Sequence, residues 1–299
     1  MEGQNRIVHG LWVGASLSPL EELCLRSFVA KGHEFHLWLY EPLSHGLPAG
    51  VVQRPAAKIL PGSSIFRYRH GNSFGHGKGS LAGFSDLFRY KLLYEEGGWW
   101  ADMDVTCLRP LDFEAPYVFR RHDVLPAVGN LMKCPKGSPL MAACFQEAQE
   151  RVTAENQDWL LPIRILNKHI CNYQLESFIV DITNQDRWEV VEYYLHHNRH
   201  FAPKWHAFHW MNEEWRSRGL NKTAAIPRSA LGRLLKSYAI PVKVIPQHFF
   251  QASRLWLGLK MGLLPRIPHP LRLAVKSSLL FLARLGASTR RITPKAFEK

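Results

Sequence analysis

Residues 84–107 read FSDLFRYKLLYEEGGWWADMDVTC, and this stretch decides the fold class. Its first part has apolar residues at helical spacing, which predicts a helix from near Ser85 to the double glycine at 97–98. The segment Trp99–Cys107 is short, aromatic and β-branched, which predicts a strand. Alternation along that strand places Asp102 and Asp104 on one face. A helix followed by a strand that carries two carboxylates predicts a ligand site at the edge of an α/β sheet.

The flanking segments extend the same pattern. Residues 6–13 (RIVHGLWV) predict a buried strand, 16–32 (SLSPLEELCLRSFVAKG) predict a helix closed by Gly32, and 34–42 (EFHLWLYEP) predict an alternating second strand. Strand, helix, strand is the opening of an α/β fold. The Gly/Ser/His-rich residues 70–80 predict a loop, 138–152 (SPLMAACFQEAQERV) a helix, and 241–246 (PVKVIP) a short strand.

The positive charge lies mainly in the C-terminal tail. The chain has 299 residues and a net charge of +13, of which residues 253–299 carry +9. We therefore divide the chain into a catalytic body at 1–250 and a basic tail at 251–299. Within the tail, residues 271–286 (LRLAVKSSLLFLARLG) predict an amphipathic helix. Its apolar face favours docking on an anionic membrane surface, and packing on the catalytic body is the alternative.

Composition also bears on compartment and partners. The five cysteines form no CxxC pair, and the N-terminal sequence has no basic-then-apolar leader. These features favour the cytoplasm, with tail contact at the inner face of the membrane. A nucleic-acid partner is not expected, because such a protein carries its cations along the body with interleaved aromatic residues.

The residue types around the paired aspartates indicate metal chemistry. Two fixed carboxylates suit Mg²⁺ or Mn²⁺, which keep their other positions for water and phosphate oxygens. A pair of solvated acids at a strand end is the alternative. Asp86 and Arg89 stand three residues apart on the preceding helix and share a face, so they either grip a polyhydroxylated ligand or form a surface salt bridge.

From Phe84 to Asp112 the sequence resembles the glycosyltransferases with a DxD sugar-binding region. These are retaining, metal-dependent enzymes of the GT-A fold, related to bacterial polysaccharide and fungal mannosyl transferases and distantly to glucosylating clostridial toxins. Three further segments are similar to family blocks: 6–14 (RIVHGLWVG), 129–141 (GNLMKCPKGSPLM) and 207–222 (AFHWMNEEWRSRGLNK). One departure is the Pro55-Ala56 pair, where relatives often carry Asp-Ala.

The resemblance implies a fold and a set of site residues. The fold is a Rossmann-like GT-A catalytic domain with helical additions. Asp102 and Asp104 would bind Mn²⁺ or Mg²⁺ with His209 as a further metal ligand, and Asp86 and Arg89 would hold the transferred sugar. The remaining donor contacts would come from Trp12, stacked on the nucleotide base, and from Asn130.

The function expected from this resemblance is retaining transfer of a hexose from a UDP- or GDP-sugar. The acceptor would be a saccharide or a lipid-linked glycan in surface polysaccharide synthesis. Two alternatives stay open: a non-catalytic sugar- or nucleotide-binding protein, and a nucleotidyltransferase. The second normally begins with a Gly-rich phosphate loop, and the segment around Gly10 and Gly14 has no such cluster.

Overall fold

The computed structural model describes residues 5–72 and 76–245. The first compact unit of the chain ends at Ile245. The predicted boundary at residue 250 and the predicted amphipathic helix at 271–286 lie outside the described residues. Within the described part, no helix combines the length and apolar character needed to cross a membrane.

A mixed seven-stranded sheet forms the centre of the protein, with the strand order β3-β2-β1-β4-β7-β6-β8. Strand β1 pairs in parallel with β2 and β4, whereas β7 runs antiparallel to both β4 and β6. The α/β expectation is therefore confirmed. The strands are β1 (Ile7–Trp12), β2 (Glu34–Leu39), β3 (Val51–Pro55), β4 (Gly98–Ala101), β5 (Val105–Cys107), β6 (Val118–Arg121), β7 (Ala127–Cys134), β8 (Ile179–Val180), β9 (Ala207–His209), β10 (Ala224–Ala225) and β11 (Lys243–Val244).

Seven α-helices accompany these strands in the described residues. They are α1 (Pro19–Ala30), α2 (Ala82–Glu95), α3 (Pro139–Arg151), α4 (Leu161–Asn172), α5 (Trp188–His196), α6 (Asn212–Ser217) and α7 (Ala230–Ser237). The start of α1 has a clear local cause: Ser18 and Glu21 form a reciprocal capping box, and Pro19 occupies the first turn.

Helices cover both faces of the sheet, so its central strands are buried on both sides. Trp99 and Trp100 follow each other in β4 and enter the two different apolar clusters that flank the sheet. The alternation predicted for 34–42 does not produce one solvent-exposed and one buried face, because five consecutive residues of β2 are buried. A third cluster joins α5, α6 and α7 and contains Trp210 and Trp215.

Two local expectations near the predicted site are corrected. Helix α2 begins at Ala82, not near Ser85, because the backbone N–H of Ser85 already donates to the Leu81 carbonyl at 2.8 Å and so lies in the first turn. The single strand expected at 99–107 is two strands in different sheets. Strand β4 belongs to the central sheet, while β5 pairs antiparallel with β9.

Candidate active site

Helix α2 and strand β4 are joined by the double glycine, and both glycines have positive φ angles of 71° and 83°. A side chain at Gly97 would also collide with the backbone of Lys136. The backbone conformation therefore favours glycine at both positions, and the close approach of Lys136 requires it at Gly97 as well. This turn allows the chain to reverse from the helix into the sheet centre, where the buried Trp99 and Trp100 anchor β4.

The paired aspartates occupy the turn between β4 and β5. The backbone N–H of Asp102 donates to the carbonyl of Asn130 at 2.8 Å, which continues the β4–β7 pairing by one residue. The N–H of Val105 then donates to the carbonyl of Asp102 at 3.0 Å and closes the turn. The two carboxylates are therefore brought together by a turn at the carboxyl end of β4, and not by alternation along a strand.

The Asp102 carboxylate is held from one side only. Its Oδ1 atom accepts hydrogen bonds from Trp100 Nε1 at 2.6 Å and from Arg89 Nη2 at 2.9 Å. Its Oδ2 atom has no hydrogen-bond partner among residues 5–72 and 76–245. With 31% of its side chain exposed, Asp102 is the most accessible of the acids at this site. One oxygen is thus fixed and the other faces outward, as a ligand-binding carboxylate requires.

Arg89 links the two acids of the α2–β4 unit. Its Nη1 atom lies 3.0 Å from Asp86 Oδ1, and its guanidinium carbon lies 5.2 Å from the centre of the Trp100 ring. Both Asp86 and Arg89 are buried, so their salt bridge is not the surface pair considered above. Burial raises the pKa of Asp86 to about 6, although the Arg89 charge opposes the shift. Burial likewise raises the pKa of Asp102, again against the effect of Arg89.

The partners of Asp104 lie at the end of β9 and at the start of α6. Its Oδ2 atom accepts the backbone N–H of Asn212 at 2.6 Å and lies 3.2 Å from His209 Nε2. Oδ1 has no hydrogen-bond partner within the described part of the chain. Burial disfavours ionisation of Asp104, but the adjacent His209 ring outweighs burial and lowers the pKa of this carboxyl group. Asp104 is therefore a carboxylate with one oxygen fixed and one available.

His209 lies between two carboxylates. Its Nδ1 atom is 2.6 Å from Asp186 Oδ1, on the side of the ring opposite Asp104. Burial disfavours the imidazolium, but Asp104 and Asp186 outweigh it and raise the pKa of His209 to about 10. The side chain of Asp186 in turn forms a two-pronged salt bridge with the buried Arg120, at 2.6 and 2.7 Å.

Sequence reasoning missed Arg120 and Asp186. Arg120 and Arg121 are adjacent cations at the end of β6, and nothing in the sequence marks Arg120 as the buried one before its partner is known. Asp186 stands in the segment between β8 and α5, which has no motif. A buried arginine demands a buried anion, and the tertiary structure supplies one that lies 66 residues away.

The two other predicted donor contacts lie on neighbouring strands. Asn130 is a buried residue of β7, and its Oδ1 atom accepts a hydrogen bond from Arg120 Nη1 at 3.1 Å. Trp12 ends β1, which is adjacent to β4 in the sheet, and its half-buried indole donates to the carbonyl of Ser16 at 3.0 Å. The structure therefore brings Asp86, Arg89, Asp102, Asp104, Asn130 and His209 into one connected network, with Trp12 at the end of the neighbouring strand.

The donor set of this network suits a hard divalent cation that shares its shell with phosphate oxygens. Two carboxylate oxygens, one on Asp102 and one on Asp104, lack protein partners. Mg²⁺ and similar ions are commonly bound by one or two carboxylates together with substrate phosphates and water. In the described residues, no three His, Cys, Asp or Glu side chains form a cluster that would hold a metal by themselves. His209 lies beside Asp104, with both ring nitrogens facing carboxylates.

Comparison with known proteins bears on this network directly. Residues 76–122 match the family model described as the glycosyltransferase sugar-binding region containing the DXD motif. That span contains Asp86, Arg89 and both aspartates of the turn. A search of curated protein sequences finds no match.

Two solved structures align with a little over half of the chain. The PaToxG glycosyltransferase aligns at 13% identity and a TM-score of 0.41, covering 58% of this chain and 74% of that one. A transferase mutant with two cysteine-to-serine changes aligns at 10% identity and a TM-score of 0.37, covering 58% and 86%. The family-model match covers the helix, the strand and the paired aspartates, so this part of the chain is similar to the glycosyltransferase sugar-binding region that contains the DXD motif.

Proposed function

We propose that this protein transfers a hexose from a UDP- or GDP-sugar to a saccharide or glycolipid acceptor, with retention of anomeric configuration and with Mn²⁺ or Mg²⁺ as cofactor. The observation that carries the proposal is the pair of aspartates in the β4–β5 turn. Each has one oxygen fixed by protein donors and one oxygen without a protein partner. The bound cation would neutralise charge on the departing diphosphate.

The donor is proposed to lie along the carboxyl end of β1, β4 and β7. Asp102 and Asp104 would hold the cation, with His209 completing that site beside Asp104. Because only a neutral imidazole binds a metal, His209 would release its Nε2 proton when the cation binds. Trp12 would stack on the base at the end of β1. Asn130 presents an amide N–H₂ group, because its carbonyl oxygen is already engaged by Arg120.

Asp86 and Arg89 are proposed to hold the transferred sugar. Arg89 binds Asp86 through Nη1 and Asp102 through Nη2, so it keeps the two carboxylates apart and in fixed positions. Asp86 Oδ2 has no hydrogen-bond partner among the described residues and is the acceptor left for a sugar hydroxyl. A carboxylate that accepts two hydroxyl groups of one pyranose gives orientation as well as affinity.

Retention is proposed to proceed by attack of the acceptor hydroxyl on the face that the diphosphate leaves, with a diphosphate oxygen as the base. The alternative requires a carboxylate nucleophile beside the anomeric carbon. The free oxygens of Asp102 and Asp104 are assigned to the cation and Asp86 Oδ2 to a sugar hydroxyl, while both oxygens of Asp186 pair with Arg120. Trapping of a kinetically competent covalent glycosyl-enzyme would contradict this mechanism.

The tail at 251–299 is proposed to bring the catalytic body at 1–250 to an anionic membrane surface in the cytoplasm, where a lipid-linked acceptor is accessible. The support is its +9 net charge and the amphipathic pattern of residues 271–286. Liposomes that contain an anionic lipid should retain the full chain and lose the chain truncated after residue 252. Equal binding of both proteins would contradict membrane docking by the tail.

The test of the catalytic proposal is thermal unfolding with UDP-, GDP- and CDP-sugars, each with and without Mn²⁺. A ligand at about 100 times its Kd adds roughly 2.7 kcal/mol to the free energy of unfolding. We expect one nucleotide to raise the Tm only when Mn²⁺ is present, and D104N to lose that shift.

The matched control is D123N, which removes the carboxylate of the exposed Asp123–Arg187 pair and should keep the shift. Metal-dependent release of the nucleoside diphosphate then separates an enzyme from a binding protein. A stable, folded protein for which no nucleotide shifts the Tm would contradict the proposed donor.

A further inference from the structure

Arg120 lies in the protein interior next to an irregularity in the pairing of β6 with β7. The pairing of β6 with β7 shifts register between Phe119 and Arg120, and these two successive residues are both buried. In a regular strand they would point to opposite faces of the sheet. The extra residues lie in β7, where Gly129, Asn130 and Leu131 have no partner in β6, and the Arg120 guanidinium beside them is 1% exposed.

All three nitrogens of this guanidinium have partners. Nη1 donates to Asp186 Oδ2 at 2.6 Å and to Asn130 Oδ1 at 3.1 Å. Nη2 donates to Asp186 Oδ1 at 2.7 Å and to the carbonyl of Asn184 at 2.6 Å, and Nε donates to the Thr183 hydroxyl. A planar fork with this many directed bonds fixes its carboxylate in one orientation.

The segment that carries Asp186 also clamps the backbone of His209. Asn184 Oδ1 accepts the N–H of His209 at 2.7 Å, and Asn184 Nδ2 donates to the His209 carbonyl at 3.1 Å. The ring is then oriented by Asp186 Oδ1, which lies 2.6 Å from Nδ1. With Nδ1 engaged, Nε2 is the nitrogen that faces Asp104, at 3.2 Å.

We propose that Asp186, held by Arg120, is a positioning residue that fixes the His209 ring against Asp104. The inference rests on the proposed cation site at the paired aspartates and deepens it. A carboxylate behind a histidine at a metal site sets the tautomer and the direction of the ring, and its loss typically weakens metal binding by about 10- to 100-fold. Asn130 accepts a hydrogen bond from the same guanidinium. Arg120 therefore holds both Asn130 in β7 and the segment that carries Asp186.

The experiment is a titration of Mn²⁺ alone, without nucleotide, into wild-type protein, D186N, H209Q and the double variant. Bound Mn²⁺ is followed by loss of the free-ion EPR signal. We expect D186N to raise the Kd for Mn²⁺ by at least about 10-fold. In the H209Q background D186N should add less than about 2-fold, because residues that act through one another give non-additive effects. D123N is the matched control and should bind Mn²⁺ as the wild type does.

Folding is checked separately, since D186N leaves the buried Arg120 without its anion. The double variant R120M D186N removes both charges and keeps the site free of an unpaired ion. It should fold and show the same loss of Mn²⁺ affinity as D186N. Wild-type affinity for Mn²⁺ in D186N or in R120M D186N overturns the role assigned to Asp186, as does a full additive loss in the H209Q background. A wild-type protein that binds no Mn²⁺ contradicts the cation site itself, and this inference with it.

Discussion

The backbone amide of Asn212 donates to Oδ2 of Asp104 at 2.6 Å, across 108 residues of sequence. The bond depends on Met211, whose φ and ψ angles of 56° and 60° put a non-glycine residue in the left-handed region. This conformation turns the chain between β9 and α6 so that the first N–H of α6 faces the aspartate. Strain at such a residue persists only where surrounding contacts impose it, and the site contacts of Asp104 are among them.

Replacement of Arg89 tests the charge balance of the α2–β4 unit. R89M leaves Asp86 and Asp102 buried without their common cation, and removal of one partner of a buried pair costs about 3–5 kcal/mol. Urea unfolding should show a loss in that range. R26M removes the cation of the partly exposed Arg26–Glu22 pair and should change the free energy of unfolding by less than about 0.5 kcal/mol. Similar small effects in both variants would mean that Arg89 is not needed to neutralise the two acids.

Gly129 provides a test that separates site geometry from stability. A Cβ at this position would collide with Arg89 Nη1, the end of a flexible side chain and not backbone. G129A should therefore shift the guanidinium within its ion pairs with Asp86 and Asp102, which leaves the two acids neutralised and the fold intact. We expect kcat/KM to fall by about 10-fold or more, because such misplacement near the reacting groups is costly.

The matched control for Gly129 is G62A, where an added Cβ meets only Tyr40 at 3.6 Å, an ordinary contact distance. Its kcat/KM should equal that of the wild type. A G129A enzyme with unchanged kcat/KM, or one that is unfolded, would refute the expected separation of activity from stability.

Trp12 is expected to contribute to donor affinity and not to the chemical step. Loss of an aromatic stacking partner costs about 0.5–1.5 kcal/mol, so W12A should raise the donor KM by up to about 10-fold with little change in kcat. W12F keeps an aromatic face, so its donor KM should lie between those of the wild type and W12A. Steady-state kinetics with varied donor concentration give both constants. A fall in kcat at unchanged KM would place Trp12 in another role.

The stability of the protein should fall on acidification, in part because of His9. This residue is buried in β1, where its Nδ1 accepts a hydrogen bond from Trp38 Nε1 at 3.1 Å. Burial, and secondarily the neighbouring His36, lower the pKa of His9 from 6.5 to about 3. Between pH 7 and pH 5 the unfolded chain takes up a proton that the folded chain does not. Stability is therefore present above pH 6.5 and decreases below it, by about 2 kcal/mol at pH 5.

The measurement is urea unfolding at pH 7, 6 and 5 for the wild type and for H9Q. H9Q keeps a side chain that accepts a hydrogen bond and removes the titrating group. From pH 7 to pH 5, its free energy of unfolding should fall by about 2 kcal/mol less than that of the wild type, whatever the other titrating groups contribute. Parallel pH dependence of the two proteins would show that His9 does not contribute to acid destabilisation.

Local sequence determined the elements whose causes lie within a few residues. The periodic apolar residues of α2, the Ser18 cap of α1 and the Gly97-Gly98 stop are all visible in the chain and are found in the structure. The paired aspartates after an apolar strand, and Asp86 with Arg89 on one helix face, were likewise predicted. These signals succeed because helix spacing, caps and glycine turns depend on neighbours in sequence.

Only the tertiary structure decided how those residues are arranged. The sequence predicted one strand at 99–107, but the partner of β5 is β9, about a hundred residues later, and hydrogen bonding to that partner draws the chain out of the central sheet. The sequence around Arg120 does not indicate the irregular pairing of β6 with β7, and Asp186 belongs to no motif. Their salt bridge depends on strand order and register, which bring together residues that no sequence period relates. The sequence thus predicted Asp86, Asp102 and Asp104, and the fold decided which of their oxygens are fixed and which have no protein partner.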